Sequence, residues 1–239
     1  MPVMKPLRPR LLRVRKRHRA SLFSLRLWMR RLVFWGGAVG VGLAATGFAL
    51  ANDLAHEAFN HLLAISPWLP LLVTPLTLAA VAAVTQRFFR GAAGSGIPQT
   101  IAALRMPDGQ ERDAVLSLRV AAAKMALTCV SVAGGASVGR EGPTVQVGAA
   151  LLYNLRRLVR FPRHLMERGL IVAGGGAGVA AAFNTPLAGV VFAIEEMARS
   201  FETRTSGTLL TAVIIAGLAA IYVQGDYVYF GSTPAAPHA

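Results

Sequence analysis

The sequence predicts an all-α integral membrane protein made of tilted, broken and re-entrant helices. Three observations carry that prediction. The 239-residue chain is 54% hydrophobic and 15% charged, with a mean hydropathy of +0.50. That is too apolar for an ordinary soluble domain. Its apolar segments are separated by short basic clusters. Several of those segments are too short for a full crossing and begin at turns rich in glycine and proline.

The net charge of +14 raises the possibility of a nucleic-acid partner. The placement of the charge argues against one. Eleven of the 25 Lys/Arg fall within the first 31 residues, and most of the others sit in clusters between apolar segments. That is the positive-inside pattern of a membrane protein. Residues 1–31 do not read as a simple signal peptide, because no clean small-residue cleavage site follows the basic run. They form either an amphipathic helix on the anionic inner leaflet, with Trp28 toward lipid, or a basic tail that only fixes orientation. The single cysteine, Cys129, excludes an intrachain disulfide and a cysteine-cluster metal site, and reads as a small packed hydrophobe. No cofactor is expected.

Apolar segments lie at about 32–51, 69–85, 114–134, 143–155, 167–183, 187–199 and 206–223. A complete crossing takes ~20 apolar residues. Segment 143–155, at ~1.5 Å per residue, spans only ~20 Å, and GIPQTIAAL at 96–104 makes a half-helix. Arg87 and Arg90 follow the second segment, and Arg105, Arg112 and Arg119 follow the half-helix. Arg156, Arg157, Arg160, Arg163 and Arg168 follow 143–155, and Arg199 and Arg204 follow 187–199. Residues 51–68 and 205–239 contain no Lys or Arg. The N-terminus and the four clusters are therefore expected in the cytoplasm, with 51–68 and the tail on the other side; the membrane is expected, separately from this pattern, to be a bacterial inner membrane.

That topology makes 114–134 with 143–155 a hairpin that enters the membrane and returns, and likewise 167–183 with 187–199. Their turns, GREGP and FNTP, lie at depth. Irregular backbone at depth is tolerated only where protein buries it or a wet cavity adjoins it. The first turn is therefore a candidate site.

Three motifs share one grammar: GSGIP at 94–98, GREGP at 139–143 and FNTP at 183–186. Each ends in a proline that opens a helix, where its missing N–H costs nothing. The helix N-terminus then offers free N–H donors and a partial positive charge, which suits an anion. Ser95 adds a hydroxyl donor. Tight helix packing is the plainer reading of glycine and proline at such places. Two such starts in succession, one beside a charge pair, favour the anion site.

Glu141 in GREGP is the sharpest residue. Ionised, a carboxylate beside anion-attracting donors occupies the anion's place; protonated, it is neutral and swings away. Its plainer alternative is a salt bridge with Arg140, although adjacent side chains at a turn point in different directions. Glu195 and Glu196 in FAIEEMARS lie near the cytoplasmic end of 187–199. One of them faces the interior and accepts protons, or both are interfacial acids near Arg199. Lys124 sits mid-segment in 114–134 and faces protein, where it either raises the potential that attracts an anion or pairs with an acid.

Together GSGIP, GREGP followed by TVQVG, and AAAFNTPLAGVVFAIEEM resemble, in order and spacing, the CLC family of chloride channels and chloride/proton antiporters. The resemblance covers about residues 33–231. It implies a CLC-type bundle, the first of two inverted repeats. It implies that Gly94, Ser95, Gly96, Ile97 and Pro98, with Gly139, Arg140, Gly142 and Pro143, surround the anion path, Ser95 being a direct chloride ligand. It implies that Glu141 is the external gating glutamate and Glu196 the internal proton-transfer glutamate, with Arg140 tuning the potential beside the gate. Serine within GSGIP resembles chloride rather than nitrate selectivity, and Gln99 stands where many relatives carry glutamate.

The resemblance divides the chain into a basic cytoplasmic or interfacial segment at 1–31, a first repeat at 32–231 and a truncated tail at 232–239. The second-half G-x-F-x-P loop is absent, and Tyr153, Tyr222, Tyr227 and Tyr229 do not occupy the place of the family's late tyrosine. The expected activity is proton-coupled chloride antiport, with chloride and protons as the transported ions. The alternatives are a passive chloride channel and an inactive half-transporter that needs a separate second half. The last two helices are expected to contribute to a homodimer interface.

Overall fold

The computed structural model describes residues 25–107, 109–159, 165–198 and 203–225, and these residues are helical with no strand. The expected segment 1–31 therefore lies mostly outside the described residues, as does the tail at 232–239, together with Tyr227 and Tyr229. Helix α1 is Leu25–Ile65 and α2 is Pro70–Phe88. After a short 3₁₀ turn at Arg90–Ala92 come α3 (Ile97–Arg105), α4 (Gly109–Leu116) and α5 (Leu118–Ala133). Then follow α6 (Glu141–Asn154), α7 (Leu165–Phe183), α8 (Pro186–Phe192) and α9 (Thr203–Gln224). Three stretches of the described residues are long and apolar enough to cross a membrane: Trp28–Ile65, Pro70–Phe88 and Gly109–Ala133.

Helix α1 extends past the apolar segment read at 32–51. Its 41 residues continue through Asn52, Asp53, His56, Glu57 and Asn60. Between Phe48 and Ser66 no glycine or proline interrupts the chain, and polar side chains leave the backbone hydrogen bonds of a helix intact. A change of polarity marks the end of an apolar span, not the end of a helix.

Helix α7 is the central post. Every residue from Leu170 to Ala182 is buried, as expected of a helix apolar on all sides. Its neighbours come close because glycines face each other. A side-chain carbon on Gly148 would lie 2.3 Å from the Gly174 carbonyl oxygen, and one on Gly178 would lie 2.6 Å from that of Thr144. Helices α6 and α7 thus touch backbone to backbone, the packing that small residues permit in membrane proteins. Gly189 of α8 meets Gly176 of α7 in the same way. Between these two helices the chain reverses at Asn184, in the left-handed region at φ 57, a residue that tolerates this conformation at a helix C-terminus.

The reading of 114–134 as one segment needs correction. The chain breaks at Ser117, whose hydroxyl accepts a hydrogen bond from Val120 N and caps α5. The open carbonyls at the end of α4 are satisfied from α6. Gln146 Nε2 donates to Val115 O at 3.0 Å and Asn154 Nδ2 donates to Leu116 O at 2.7 Å.

The basic clusters also divide. Arg112 is a buried residue, not a solvated interfacial charge. Its guanidinium donates to Ala103 O at 3.2 Å, to Met106 O at 2.7 Å and to Glu167 Oε2 at 2.7 Å. Arg156 pairs with Asp113 and lies over the buried Tyr153 ring at 4.2 Å, and Arg157 reaches Asp113 at 3.1 Å. This network holds the end of α3 and the start of α4 against the start of α7. Helix α2 contrasts with the rest: it is apolar, yet none of its residues is buried.

Candidate functional site

The loop before α3 is pinned by its carbonyls. Gln146 Nε2 donates to Gly91 O at 2.8 Å. Lys124 Nζ donates to Ala92 O at 2.8 Å and also to Gly94 O. Of the two readings of Lys124, pairing with an acid needs correction: among the described residues its partners are carbonyls. The lysine is buried, holds the loop by two carbonyls and stands at the cavity wall. An ammonium has three donors, so one remains for the cavity. With their oxygens turned toward Lys124 and Gln146, the loop residues can present other groups to the open side.

Gly94 and Gly96 take φ values of 76° and 117° at this loop, a region that favours glycine. They set the start of α3, where Gly96 N donates to Gln99 Oε1 at 2.8 Å. The expectation that the N–H groups of this helix start are free is therefore corrected at Gly96. Gln99 caps it, and does so with a neutral oxygen. Thr100 Oγ1 donates to Gly96 O at 2.7 Å, closing the same turn from inside.

The GREGP turn begins α6 at Glu141, with Pro143 in the first turn, and Thr144 donates through N and Oγ1 to Arg140 O. The Glu141 carboxylate folds back over the turn. A side-chain carbon on Gly139 would stand 2.5 Å from Glu141 Oε2, so a larger residue there would displace the carboxylate from this position. The two loops meet at glycines: a side-chain carbon on Gly96 would lie 2.4 Å from Gly142 O, and one on Gly142 would lie 2.7 Å from Ser95 O.

A cavity of about 630 Å³ opens between these parts. Of the sequence-derived site residues, Gly94, Ser95, Ile97, Gly139, Glu141, Gly142 and Pro143 line it, joined by Lys124. Gly96, Pro98 and Arg140 do not line it. Gly96 is spent on the contact with Gly142, and Arg140 precedes the first turn of α6. The wall also carries Thr85, Thr128 and Ser131, which the motifs do not reveal. Their hydroxyls donate to carbonyls four residues back in their own helices. Among the side chains of the wall, that leaves Ser95, outside any helix, and Lys124 as the donors placed to meet an anion.

Glu195 and Glu196 fall on a wider, π-helical turn at Ala193–Ala198 that continues α8. Such turns are frequent at functional sites. The reading that one of the pair faces the interior needs correction, because both are exposed. Glu196 lines a second cavity, of about 670 Å³, with Arg105, Glu111, Pro98 and Ile97. The structure does not bring Glu196 and Glu141 into one cavity. The two cavities adjoin at Ile97, which lines both.

Comparison with known proteins gives this geometry its context. A family model described as voltage gated chloride channel matches residues 76–239. The H(+)/Cl(-) exchange transporter ClcA of Vibrio cholerae is 36% identical over 198 residues, 79% of this chain and 41% of the relative. A ClcB-like protein of Ralstonia nicotianae is 31% identical over 222 residues, 91% of this chain and 46% of the relative. The crystal structure of a slow cyanobacterial Cl-/H+ antiporter superimposes with a TM-score of 0.67 at 27% identity, covering 82% of this chain and 47% of that one. The chain spans less than half the length of these relatives. By the family match and by the shared helical architecture, the chain belongs to the voltage-gated chloride channel (CLC) family.

Proposed function

We propose that this integral membrane protein takes part in proton-coupled chloride antiport, with chloride held between the GSGIP and GREGP loops. The observation that carries the reading is the position of the Glu141 carboxylate. It folds over Gly139 at the start of α6 and shares one cavity with Ser95 and the Lys124 ammonium. A carboxylate and a chloride ion compete for such a place, because helix-start amides and an ammonium favour either anion. Protonation of Glu141 removes its charge and yields the place to chloride. Glu196 is assigned the supply of protons from the neighbouring cavity. The route between the two acids passes Ile97, which carries no proton, so water is required there.

The test is chloride efflux and proton uptake by the purified chain in liposomes. Glu141→Ala is expected to leave chloride movement and abolish proton movement; undiminished proton uptake in this variant refutes the carrier role. Glu196→Gln is expected to remove coupling and spare chloride flux. If coupling survives, the proton station lies elsewhere.

A second reading rests on α2. Val81 and Thr85 of this helix line the anion cavity, yet no residue of α2 is buried. That suits a site whose remaining wall comes from a further polypeptide surface. Under this reading the chain alone moves no chloride, and flux appears on co-reconstitution with the other half of a family member. Migration as a dimer in detergent tests the expected homodimer independently of flux.

A further inference from the structure

A third cavity, of about 450 Å³, lies at the end of α2 and includes Gly91, ahead of the GSGIP loop. Arg87, Phe88, Phe89 and Arg90 form one side, and Val115 and Val120 form part of the other. Its walls are held in place from beneath. Gln146 Nε2 bridges Gly91 O and Val115 O, at 2.8 and 3.0 Å, so both sides are tied to one buried carboxamide. Arg87 Cζ lies 5.9 Å from the centre of the Phe88 ring, and Arg119 Cζ lies 5.3 Å from that of Phe89. Arg90 Nε donates to Gln86 O at 3.0 Å, which orients the guanidinium.

The charge balance sets this place apart. Among the described residues, Asp113 and Glu167 pair with Arg112, Arg156 and Arg157. No carboxylate of the described residues pairs with Arg87, Arg90 or Arg119. Arg87 and Arg90 thus line an apolar hollow with aromatic sides and have no carboxylate partner, and Arg119 stands beside it against the Phe89 ring. The hollow stands where a membrane-length helix ends, at Phe88, which is 61% exposed. Above it, α2 offers a continuous unburied apolar surface.

We propose that Arg87, Arg90 and Arg119, with the Phe88 and Phe89 rings, bind the phosphodiester headgroup of an anionic glycerophospholipid. Guanidinium groups bind phosphate oxygens through paired N–H donors. The phenyl rings and the surface of α2 accept the first carbons of the acyl chains. A free hydrated phosphate would satisfy the arginines but would waste the apolar walls, so the combination selects a lipid. The inference rests on the membrane-spanning nature of α2 and not on the chloride reading.

Native mass spectrometry of the full chain in detergent tests this with phosphatidylglycerol, phosphatidylcholine and, separately, inorganic phosphate. Phosphatidylglycerol is expected to be retained preferentially, and inorganic phosphate neither to bind nor to displace it. At about a fivefold contribution per arginine, the triple variant Arg87→Gln, Arg90→Gln, Arg119→Gln loses about a hundredfold in affinity for phosphatidylglycerol and nothing for phosphatidylcholine. The basic N-terminal run supplies a charge-matched control: Arg13→Gln, Arg15→Gln, Arg17→Gln retains the preference. The three lysine replacements at 87, 90 and 119 keep part of it. Equal retention of the two lipids by the unmodified chain overturns the proposal and requires no variant. So does equal loss in the N-terminal control, which makes the attraction diffuse, and so does displacement by inorganic phosphate, which makes the ligand a free anion.

Discussion

Gly96 and Gly142 press together so closely that a side-chain carbon on the first would lie 2.4 Å from the carbonyl oxygen of the second. Here the start of α3 meets the start of α6, and the contact fixes the separation of the two loops around the cavity of about 630 Å³. Gly96→Ala must both separate the backbones and hold an L residue at φ 117. The backbone conformation alone costs about 1–3 kcal/mol. The expected result is loss of monodisperse protein on gel filtration, or a folded variant without chloride binding. Gly40→Ala is the matched control, because nothing lies within 4 Å of the added carbon there, and it leaves both measurements unchanged.

Lys124 acts on the same loop from the other side. Each of its bonds to the carbonyls of Ala92 and Gly94 is charge-assisted, a class worth about 1.5–3 kcal/mol. Lys124→Met keeps the length of the side chain and removes both bonds and the charge. A lower melting temperature and weaker chloride binding by isothermal titration are expected together. Lys124→Arg restores the charge but not the point geometry of an ammonium, so binding recovers further than stability. If Lys124→Met binds chloride with undiminished affinity, the charge plays no part in holding the anion.

The broken helices were legible because glycine and proline punctuate them. GSGIP, GREGP and FNTP state in local chemistry where helices begin, and α3, α6 and α8 begin there. Partners distant in the chain were not legible. Arg112 looks like any other basic residue between apolar segments until Glu167, 55 residues later, is found against it. A count of positive charges treats each as solvated and has no means of identifying one that is buried. Lys124 had the same ambiguity, since its partners are carbonyls, and every residue carries a carbonyl. The length of α1 escaped for a different reason: the segment was delimited by hydropathy, whereas a helix is delimited by backbone hydrogen bonds. Gln146 gives little signal of its partners in sequence, although its amide holds both Gly91 and Val115. Only its place in an otherwise apolar helix hints that it has partners.

The Arg112–Glu167 pair yields a stability prediction separate from transport. Arg112 is buried and also holds the last carbonyls of α3, so removal of its counter-charge leaves a cation inside the protein. Loss of one member of a buried pair costs about 3–5 kcal/mol. Glu167→Gln is expected to lower the melting temperature in detergent markedly, with little rescue by salt. Arg112→Met with Glu167→Met, which removes both charges, should recover much of the loss. A double variant no more stable than Glu167→Gln alone would show that the arginine's bonds to Ala103 O and Met106 O matter more than its charge balance.

Gln99 separates helix capping from electrostatics at the GSGIP loop. Its Oε1 accepts from Gly96 N, and a carboxylate at this position would make the same bond. Gln99→Glu is therefore expected to preserve the turn and to stabilise α3, since an acid in the first turn is favourable by about 0.3–1 kcal/mol. The same negative charge stands below Ser95 and opposes a bound anion. At the effective dielectric of a protein site, an opposition of about 1 kcal/mol or more is expected, which lowers chloride affinity at least about fivefold. Gln99→Ala removes the cap without adding charge, costs about 1 kcal/mol of stability and affects affinity less. Melting temperature and chloride titration should therefore move in opposite directions in Gln99→Glu and in the same direction in Gln99→Ala. If affinity in Gln99→Glu is unchanged while stability rises, chloride does not sit close to the start of α3, and the α6 side of the cavity with Glu141 must hold it instead.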